Sequence, residues 1–193
     1  MAPKHLMSTT ALLALLLSTG PSLAGKVSEL GNQVEKSIAS GQGIKAVREA
    51  RKILDIAWAA TPLTITNATL VATEAKGYGA YTPRKDNVYK PGETIRLYAE
   101  VIGFGYGKAP DGQWAIGLNC DLVVMKPDGT VLGRAPGALK VRVEDRHRPK
   151  EFQLNLTYHL SGAPPGKYLL ETTVHDTHSD KMTSFETAVE LRE

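Results

Sequence analysis

The sequence has little of what would mark a disulfide scaffold, a nucleic-acid binder or a membrane span. Its 193 residues include one cysteine, Cys120, so no internal disulfide can form. The formal net charge is only +3, too small for the concentrated basic surface that phosphate backbones require. No apolar run is long enough to cross a bilayer. We therefore expect a chain stabilised by its hydrophobic core alone, with no nucleic-acid partner and no transmembrane segment.

The N-terminus has the pattern of a secretory signal peptide. Lys4 precedes a short apolar stretch, Ala11–Leu17, and a glycine–proline pair follows it. The triplet that ends at Ala24 has small residues at its first and third positions, which suits signal peptidase. We predict residues 1–24 as a cleaved signal peptide, and we expect a mature protein that is soluble and is periplasmic or secreted.

Residues 25–61 have the period of two helices. Their apolar residues recur at three- and four-residue steps in two stripes: Val27, Leu30, Val34 and Ile38, then Ile44, Val47, Ala50, Leu54, Ala57 and Trp58. Two glycines at positions 41 and 43 break the pattern between the stripes, and Pro62 ends the second one. We predict a helical hairpin that buries these stripes against the rest of the protein or against a partner.

Beyond Pro62 the apolar residues follow a period of two. Alternation is strict over residues 94–101, 116–124, 139–144 and 152–160, and weaker over 63–73, 167–176 and 181–191. Such alternation is typical of antiparallel strands with one buried and one solvated face. Turn sequences separate the strands, and Pro127-Asp128-Gly129 is the strongest hairpin signal. The fold class we predict is mainly β: residues 62–193 form an Ig-like antiparallel β-sandwich of about seven strands, preceded by an α-helical hairpin.

Two side chains on these strands favour structural roles. The alternation places Cys120 on the buried face, where a thiol behaves as a small hydrophobic group. Tyr168 follows Pro165-Gly166 at a strand start, the position of a tyrosine corner, in which a phenol binds the backbone of a crossing loop. We expect both residues to stabilise the fold.

Three motifs resemble macroglobulin-type (MG2-like) Ig-like domains of secreted bacterial proteins. Asp86–Ile95, DNVYKPGETI, resembles the "vYrPGE-T-V" strand start of those domains, and Val123–Val131 resembles their next hairpin. Ala163–Tyr168, APPGKY, resembles the "aPPGxY" opening of a late strand. The resemblance covers roughly residues 86–175 and implies a fold. The chain is also similar to exported bacterial proteins with a helical lead-in and a single such domain, and neither resemblance implies an activity.

Macroglobulin protease traps also carry a Cys-Gly-Glu-Gln thioester and many tandem domains. This sequence has neither feature, so the resemblance does not imply covalent trapping. The motifs it does share are turns and strand starts, which are structural.

The densest polar cluster is the predicted turn His175–Asp180. Two imidazoles and two carboxylates on one hairpin tip could hold Zn²⁺, Cu²⁺ or Ni²⁺. Alternation, however, places His175 and Asp176 on opposite faces of the strand. The other interpretation is a solvated turn in which Asp176 and Ser179 bind their own backbone.

Loop aromatics and a basic cluster are the remaining candidates for a binding surface. The aromatics flank glycines or precede a strand: Tyr78, Tyr81, Phe104, Tyr106 and Trp114. They could gather at one end of the sandwich to bind a sugar or a protein, or they could close the core. The basic cluster is Arg142, Arg146, His147, Arg148 and Lys150; it is either a solvated inter-strand loop or a contact for an acidic partner, a glycan or a lipid headgroup.

The sequence favours an exported, non-enzymatic binding or structural module of the cell envelope, with a protein or an envelope glycan as its partner. We expect no catalytic residue and no cofactor, because no nucleophile motif is present. Two alternatives stay open. One is a periplasmic metal-binding protein that uses the His175–Asp180 turn, and the other is a hydrolase whose site the sequence does not reveal.

Overall fold

The computed structural model describes residues 23–193. The predicted signal peptide lies outside the described residues except for its last two positions. The chain divides into two compact units, Met1–Ile53 and Leu54–Glu193. Within residues 23–193, no helix combines the length and the apolar character needed to cross a bilayer.

The predicted helical hairpin is confirmed. Helix α1 spans Leu23–Ala39 and helix α2 spans Gly43–Ala60. The turn between them closes when the Gln42 amide donates to the Ser37 carbonyl at 2.8 Å. Gly41 adopts a φ of +71° in this turn, a left-handed conformation that glycine tolerates best.

In this chain the predicted apolar stripe of α2 is buried only at Trp58, and burial of its other residues against a partner stays a prediction. Ile44, Val47 and Leu54 are exposed, whereas Ala46 is buried and Ile53 is half-buried. Residues 46 and 53 lie seven positions apart on a face different from the predicted stripe. The periodicity identified a helix correctly, but it did not identify which of its faces is covered.

The rest of the chain is mainly β, as predicted, with nine strands. Their bounds are β1 Thr64–Leu70, β2 Val88–Tyr89, β3 Ile95–Ile102, β4 Gly107–Lys108, β5 Trp114–Met125, β6 Val131–Asp145, β7 Gln153–Tyr158, β8 Gly166–Asp176 and β9 Met182–Leu191. All seven predicted strands are present. The two additional strands, β2 and β4, have two residues each, which is too short for alternation to reveal.

The strands form two sheets. One has the order β1-β3-β7, and the other has the order β2-β9-β8-β5-β4, with β6 also paired to β5. Because β6 pairs along nearly all of β5, β8 and β4 must share the opposite edge of β5, β8 beside residues 118–125 and β4 beside residues 114–115.

Side chains from both sheets join one buried core. Leu97 of β3 is in register with Leu156 of β7, and Cys120 of β5 is in register with Val174 of β8; all four are buried members of this core. The expected burial of Cys120 is therefore confirmed. The Tyr158 hydroxyl joins the two sheets through a 2.8 Å hydrogen bond with Thr172 inside the core.

Two details of the alternation differ from the prediction. The alternation over residues 94–101, with Leu97 and Ala99 on the buried face, predicts Tyr98 on the solvated face, but Tyr98 is fully buried in a small cluster with Val71 and Ala75. The predicted buried face of β6 is only half-covered, and Val143 is exposed, because β6 is an edge strand paired to β5 alone.

The predicted turn chemistry is confirmed at two places. In the β5–β6 hairpin, the Lys126 amide donates to the Thr130 carbonyl at 2.9 Å, and Gly129 has a φ of +85°. The buried Tyr168 donates its hydroxyl to the Pro164 carbonyl at 2.5 Å, four residues upstream, as a tyrosine corner requires.

Candidate functional site

The His175–Asp180 segment contains the end of β8 and the turn to β9, and its Asp176 carboxylate accepts three hydrogen bonds. Buried Asp176 accepts the Gly105 amide at 2.6 Å, the His178 amide at 2.9 Å and the Ser179 hydroxyl at 2.5 Å. The interpretation that Asp176 and Ser179 stabilise their own turn is confirmed. Asp176 also binds Gly105, a contact between distant parts of the chain that sequence spacing did not indicate.

The two histidines of this turn are not brought together as ligands. His175 Nε2 lies 2.9 Å from Asp121 Oδ2, and the same carboxylate accepts the Gly137 amide at 2.7 Å. The Gly137 amide first, and His175 second, lower the pKa of Asp121. Across residues 23–193, no group of three or more His, Cys, Asp or Glu side chains is arranged to hold a metal ion.

His178 explains two glycines of the stretch Gly103–Gly107, namely Gly105 and Gly107. Its ring lies where a Cβ on Gly107 would project, and its backbone lies against Gly105. A Cβ on Gly117 would overlap Thr177. These glycines therefore allow close approach of the β8–β9 turn, and the two-residue glycine spacing beside a strand is the signal that could have indicated it.

A second site, here called the Trp114 cleft, is built on a chain of aromatic rings. Trp58 packs edge-on against Phe104 at a centroid distance of 5.0 Å, Phe104 meets Tyr106 at 5.3 Å, and Tyr106 meets Trp114 at 6.3 Å. The Trp58 Nε1–H donates to the Phe104 carbonyl at 2.8 Å, which fixes the end of α2 on β3's C-terminal extension. The cleft beside these rings has a volume of about 320 Å³.

The predicted gathering of the five loop aromatics is only partly correct. Phe104, Tyr106 and Trp114 do come together. Tyr81 instead stacks on Tyr98 at 4.2 Å. Tyr78 is exposed, and the Tyr98 hydroxyl accepts the Gly79 amide at 2.7 Å, so this second aromatic group covers one face of β3. Tyr81 therefore packs on the β3 face at Tyr98, whereas a binding role for the aromatics of the Trp114 cleft stays a prediction.

Cations surround the rings of the Trp114 cleft. Lys108 Nζ lies 3.4 Å from the centroid of the Trp114 ring, and the Arg148 guanidinium lies 5.1 Å from it. Arg148 and Lys150 both pair with Asp55 of α2, at 2.5 and 2.9 Å. Both cations therefore have defined partners in the fold, although Arg148 keeps exposed surface, and contact of the basic cluster with an acidic partner, a glycan or a lipid headgroup stays a prediction.

Lys181 completes the cleft from the far side of the β8–β9 turn. Its ammonium donates to the carbonyls of Thr61 at 2.7 Å, Gly103 at 2.8 Å and Ala59 at 3.3 Å. It thereby satisfies carbonyls at the C-terminal end of α2, where a positive charge is favourable. Sequence reasoning missed Asp55 and Lys181, because nothing in their local sequence links them to the aromatics.

The Trp114 cleft has an excess of positive charge. Arg148, Lys150 and Lys181 line it, and Asp55 is its one acidic lining residue. Burial raises the pKa of Tyr106, whose hydroxyl donates to the Pro149 carbonyl at 2.5 Å, so this phenol stays neutral and adds no negative charge. The arrangement offers aromatic faces and cations to a ligand, and it suits an anionic or carbohydrate group.

The chain's single thiol is not accessible to a ligand or a substrate. Cys120 is buried, and this burial raises its pKa to about 11. Since the thiolate is the nucleophilic form, Cys120 is a poor nucleophile in the folded protein at neutral pH.

No protein-family model matches this sequence, and no curated protein matches it. Among solved structures, the chain is similar to the alkylpurine DNA glycosylase AlkC of Pseudomonas fluorescens bound to DNA with an abasic-site analogue. The identity is 13%, the TM-score is 0.37, and the match covers 89% of this chain but 46% of that one. The chain therefore spans less than half the length of this relative.

Two further solved structures are similar at the same level. Sporulation control protein Spo0M of Bacillus subtilis is 14% identical, with 69% of this chain and 50% of that chain covered and a TM-score of 0.34. The β-glucuronidase of Bacteroides uniformis is 15% identical, with 68% and 13% covered and a TM-score of 0.33. None of the three supports an assignment of family or activity, and none supports the macroglobulin-type resemblance, which stays a prediction.

Proposed function

We propose that this protein is an exported, non-enzymatic binding module of the cell envelope, in which an Ig-like β-sandwich supports a ligand site at the Trp114 cleft. Its partner is a protein or an envelope glycan, and the chemistry of the cleft favours an acidic glycan. The observation that carries the proposal is the half-exposed Trp114 ring with the cations Lys108 and Arg148 beside it.

The Ig-like assignment is supported by connectivity and by one side chain. The main strands fall into a three-stranded sheet, β1-β3-β7, and a set in the order β9-β8-β5-β6. The two sheets contribute to one core, as in a sandwich. The Tyr168 hydrogen bond to the Pro164 carbonyl is the local feature that many Ig-like domains share.

Binding is favoured over catalysis because the charged groups have structural partners. Asp176 accepts three hydrogen bonds, Asp55 pairs with two cations, and the Cys120 thiol is buried. Arg148, although it pairs with Asp55, and Lys108 keep exposed cationic surface next to an indole face. Aromatic and arginine side chains in such settings dominate the energetics of many binding sites.

The test is calorimetric titration of the mature protein with an acidic polysaccharide, polygalacturonate, and with neutral dextran. We expect heat from the acidic polymer only, and we expect Trp114→Ala to lower its affinity at least about tenfold. Tyr78→Ala is the matched control, since Tyr78 is an exposed aromatic residue outside the cleft. The affinity of this variant for the acidic polymer should equal that of the unchanged protein.

Equal binding by Trp114→Ala and the unchanged protein would exclude the cleft as the site. If neither polymer binds, affinity capture from envelope extracts is the next measurement. A protein captured by the unchanged chain but not by Trp114→Ala would identify a protein partner of the cleft, and no such protein would mean that the cleft has no binding role. A deletion of residues 26–61 is unsuitable here, because it removes Trp58 from the core. Export is tested separately, by mass spectrometry of the protein from the envelope fraction, which should have the mass of a chain without residues 1–24.

A further inference from the structure

The turn of the helical hairpin presents aliphatic side chains to solvent. Ile38, in the last turn of α1, is 64% exposed, and Ile44, at the start of α2, is 76% exposed. Val47 lies one turn further along α2 and is 54% exposed. Each value is far above that of a core side chain, and the three residues lie within ten positions of one another around Gly41. We call residues 34–48 the hairpin tip.

The hairpin tip is also positively charged. It contains Lys36, Lys45 and Arg48, against a single carboxylate, Glu35. All three cations are exposed, and within residues 23–193 none has a carboxylate inside ion-pair distance. The next carboxylate along α2, Glu49, already pairs with Lys52 at 2.9 Å.

We propose that the hairpin tip docks on the surface of an anionic phospholipid bilayer. Ile38, Ile44 and Val47 enter the boundary between headgroups and acyl chains, and the three cations bind anionic headgroups. A helical segment with exposed aliphatic side chains next to lysine and arginine is the pattern that binds at such interfaces. The charge complementarity selects anionic over zwitterionic lipid.

The size of the apolar surface favours a lipid over a folded protein as the occupant. A stable protein–protein interface uses about 20–30 residues on each side and places aromatic residues at its centre. The tip supplies three aliphatic residues and no aromatic residue. A fluid bilayer needs no matching cavity, and its affinity grows with each apolar side chain and each cation added. This inference does not depend on ligand binding at the Trp114 cleft.

The experiment is sedimentation of the mature protein with vesicles of phosphatidylglycerol and phosphatidylcholine, and with vesicles of phosphatidylcholine alone. We expect binding to the first kind and little to the second, and we expect added salt to weaken it, because charge attraction to the surface is screened. Ile44→Ser should reduce the partition constant about tenfold, and Lys45→Gln with Arg48→Gln by a similar factor.

Matched controls come from the strands. Leu132→Ser removes an aliphatic side chain of β6 that is also exposed, and Lys126→Gln removes an exposed cation; neither should change vesicle binding. Ile44→Ser should keep the melting temperature, since the side chain it replaces is in water. Trp114→Ala should bind vesicles like the unchanged protein.

Three results would overturn the proposal. They are no sedimentation with anionic vesicles, equal sedimentation with both kinds of vesicle, and unchanged sedimentation of Ile44→Ser. A protein captured from envelope extracts through the tip in place of lipid would assign the same surface to a different occupant and would also reject it.

Discussion

The two units of the chain treat their apolar side chains differently. In Leu54–Glu193, strand residues such as Leu97 and Leu154 are buried between two sheets. In the unit that ends at Ile53, Ile38, Ile44 and Val47 are in water. Both segments are amphipathic by sequence, but the large apolar residues of the strand-rich unit mostly form its core, whereas several of those near the hairpin turn are exposed.

Because of this difference, the buried apolar residues contribute to stability, whereas the exposed ones are available for recognition. Burying a leucine or isoleucine side chain contributes about 1.5–3 kcal/mol, whereas an exposed one contributes almost nothing to folding. Exposed aliphatic residues that lie in the same helical turns as unpaired cations therefore call for a binding explanation. Paired substitutions, one in each unit, test whether the division holds.

The largest contrast is expected between two glycines with similar positive φ values. Gly103 and Gly41 have φ values of +76° and +71°. A Cβ on Gly103 would overlap the Pro62 carbonyl, whereas a Cβ on Gly41 would meet nothing within 4 Å. We expect Gly103→Ala to lower the free energy of unfolding by about 4 kcal/mol and Gly41→Ala by about 1 kcal/mol.

Urea unfolding followed by circular dichroism measures both values, and the unchanged protein provides the reference slope. A Gly103→Ala cost no larger than that of Gly41→Ala would mean that the segment 61–62 moves away easily. The close contact between Gly103 and Pro62 would then contribute little to the stability of the strand-rich unit.

The second contrast compares two aliphatic side chains. Leu97 is 1% exposed and belongs to the core, whereas Ile44 is the most exposed aliphatic residue of the hairpin tip. Leu97→Ala should cost about 3 kcal/mol, because it leaves a cavity, and Ile44→Ala should change the stability by less than about 0.5 kcal/mol. Thermal and urea unfolding give both numbers. A cost above 1 kcal/mol for Ile44→Ala would show that the tip is covered in the folded protein.

The sequence predicted the strand-rich fold well because alternation is tied to burial there. Leu118 and Cys120 face the same side of β5, so the prediction of one buried face needed only the period. Tyr98 broke the rule, since the segment that contains Val71 and Ala75 covers the second face of β3. Such coverage depends on a long connection, whose path no local pattern specifies.

The helices and the Trp114 cleft were harder to predict for a related reason. A helix with apolar residues on more than one face has several faces that could be covered, and α2 buries Ala46 and Trp58 but leaves Ile44 exposed. In the cleft, Asp55 and Arg148 are 93 residues apart in the chain, and they meet only when the fold is complete. The sequence indicated that aromatic and cationic residues could form a binding surface, but it did not indicate which cation contacts which ring or carboxylate.

The smallest contrast compares a buried hydrogen bond with an exposed ion pair. The Tyr158 hydroxyl bonds to Thr172 in the core at 2.8 Å, so Tyr158→Phe leaves a buried hydroxyl without a partner and should cost about 1–2 kcal/mol. Lys52 pairs with Glu49 on α2, but its side chain is 60% exposed, so Lys52→Gln should cost less than about 0.5 kcal/mol. Urea unfolding at low and high salt separates the two, because salt screens the ion pair and leaves the buried bond unchanged. A larger loss for Lys52→Gln than for Tyr158→Phe would reverse the comparison, since the helical unit would then depend on its surface charges for stability.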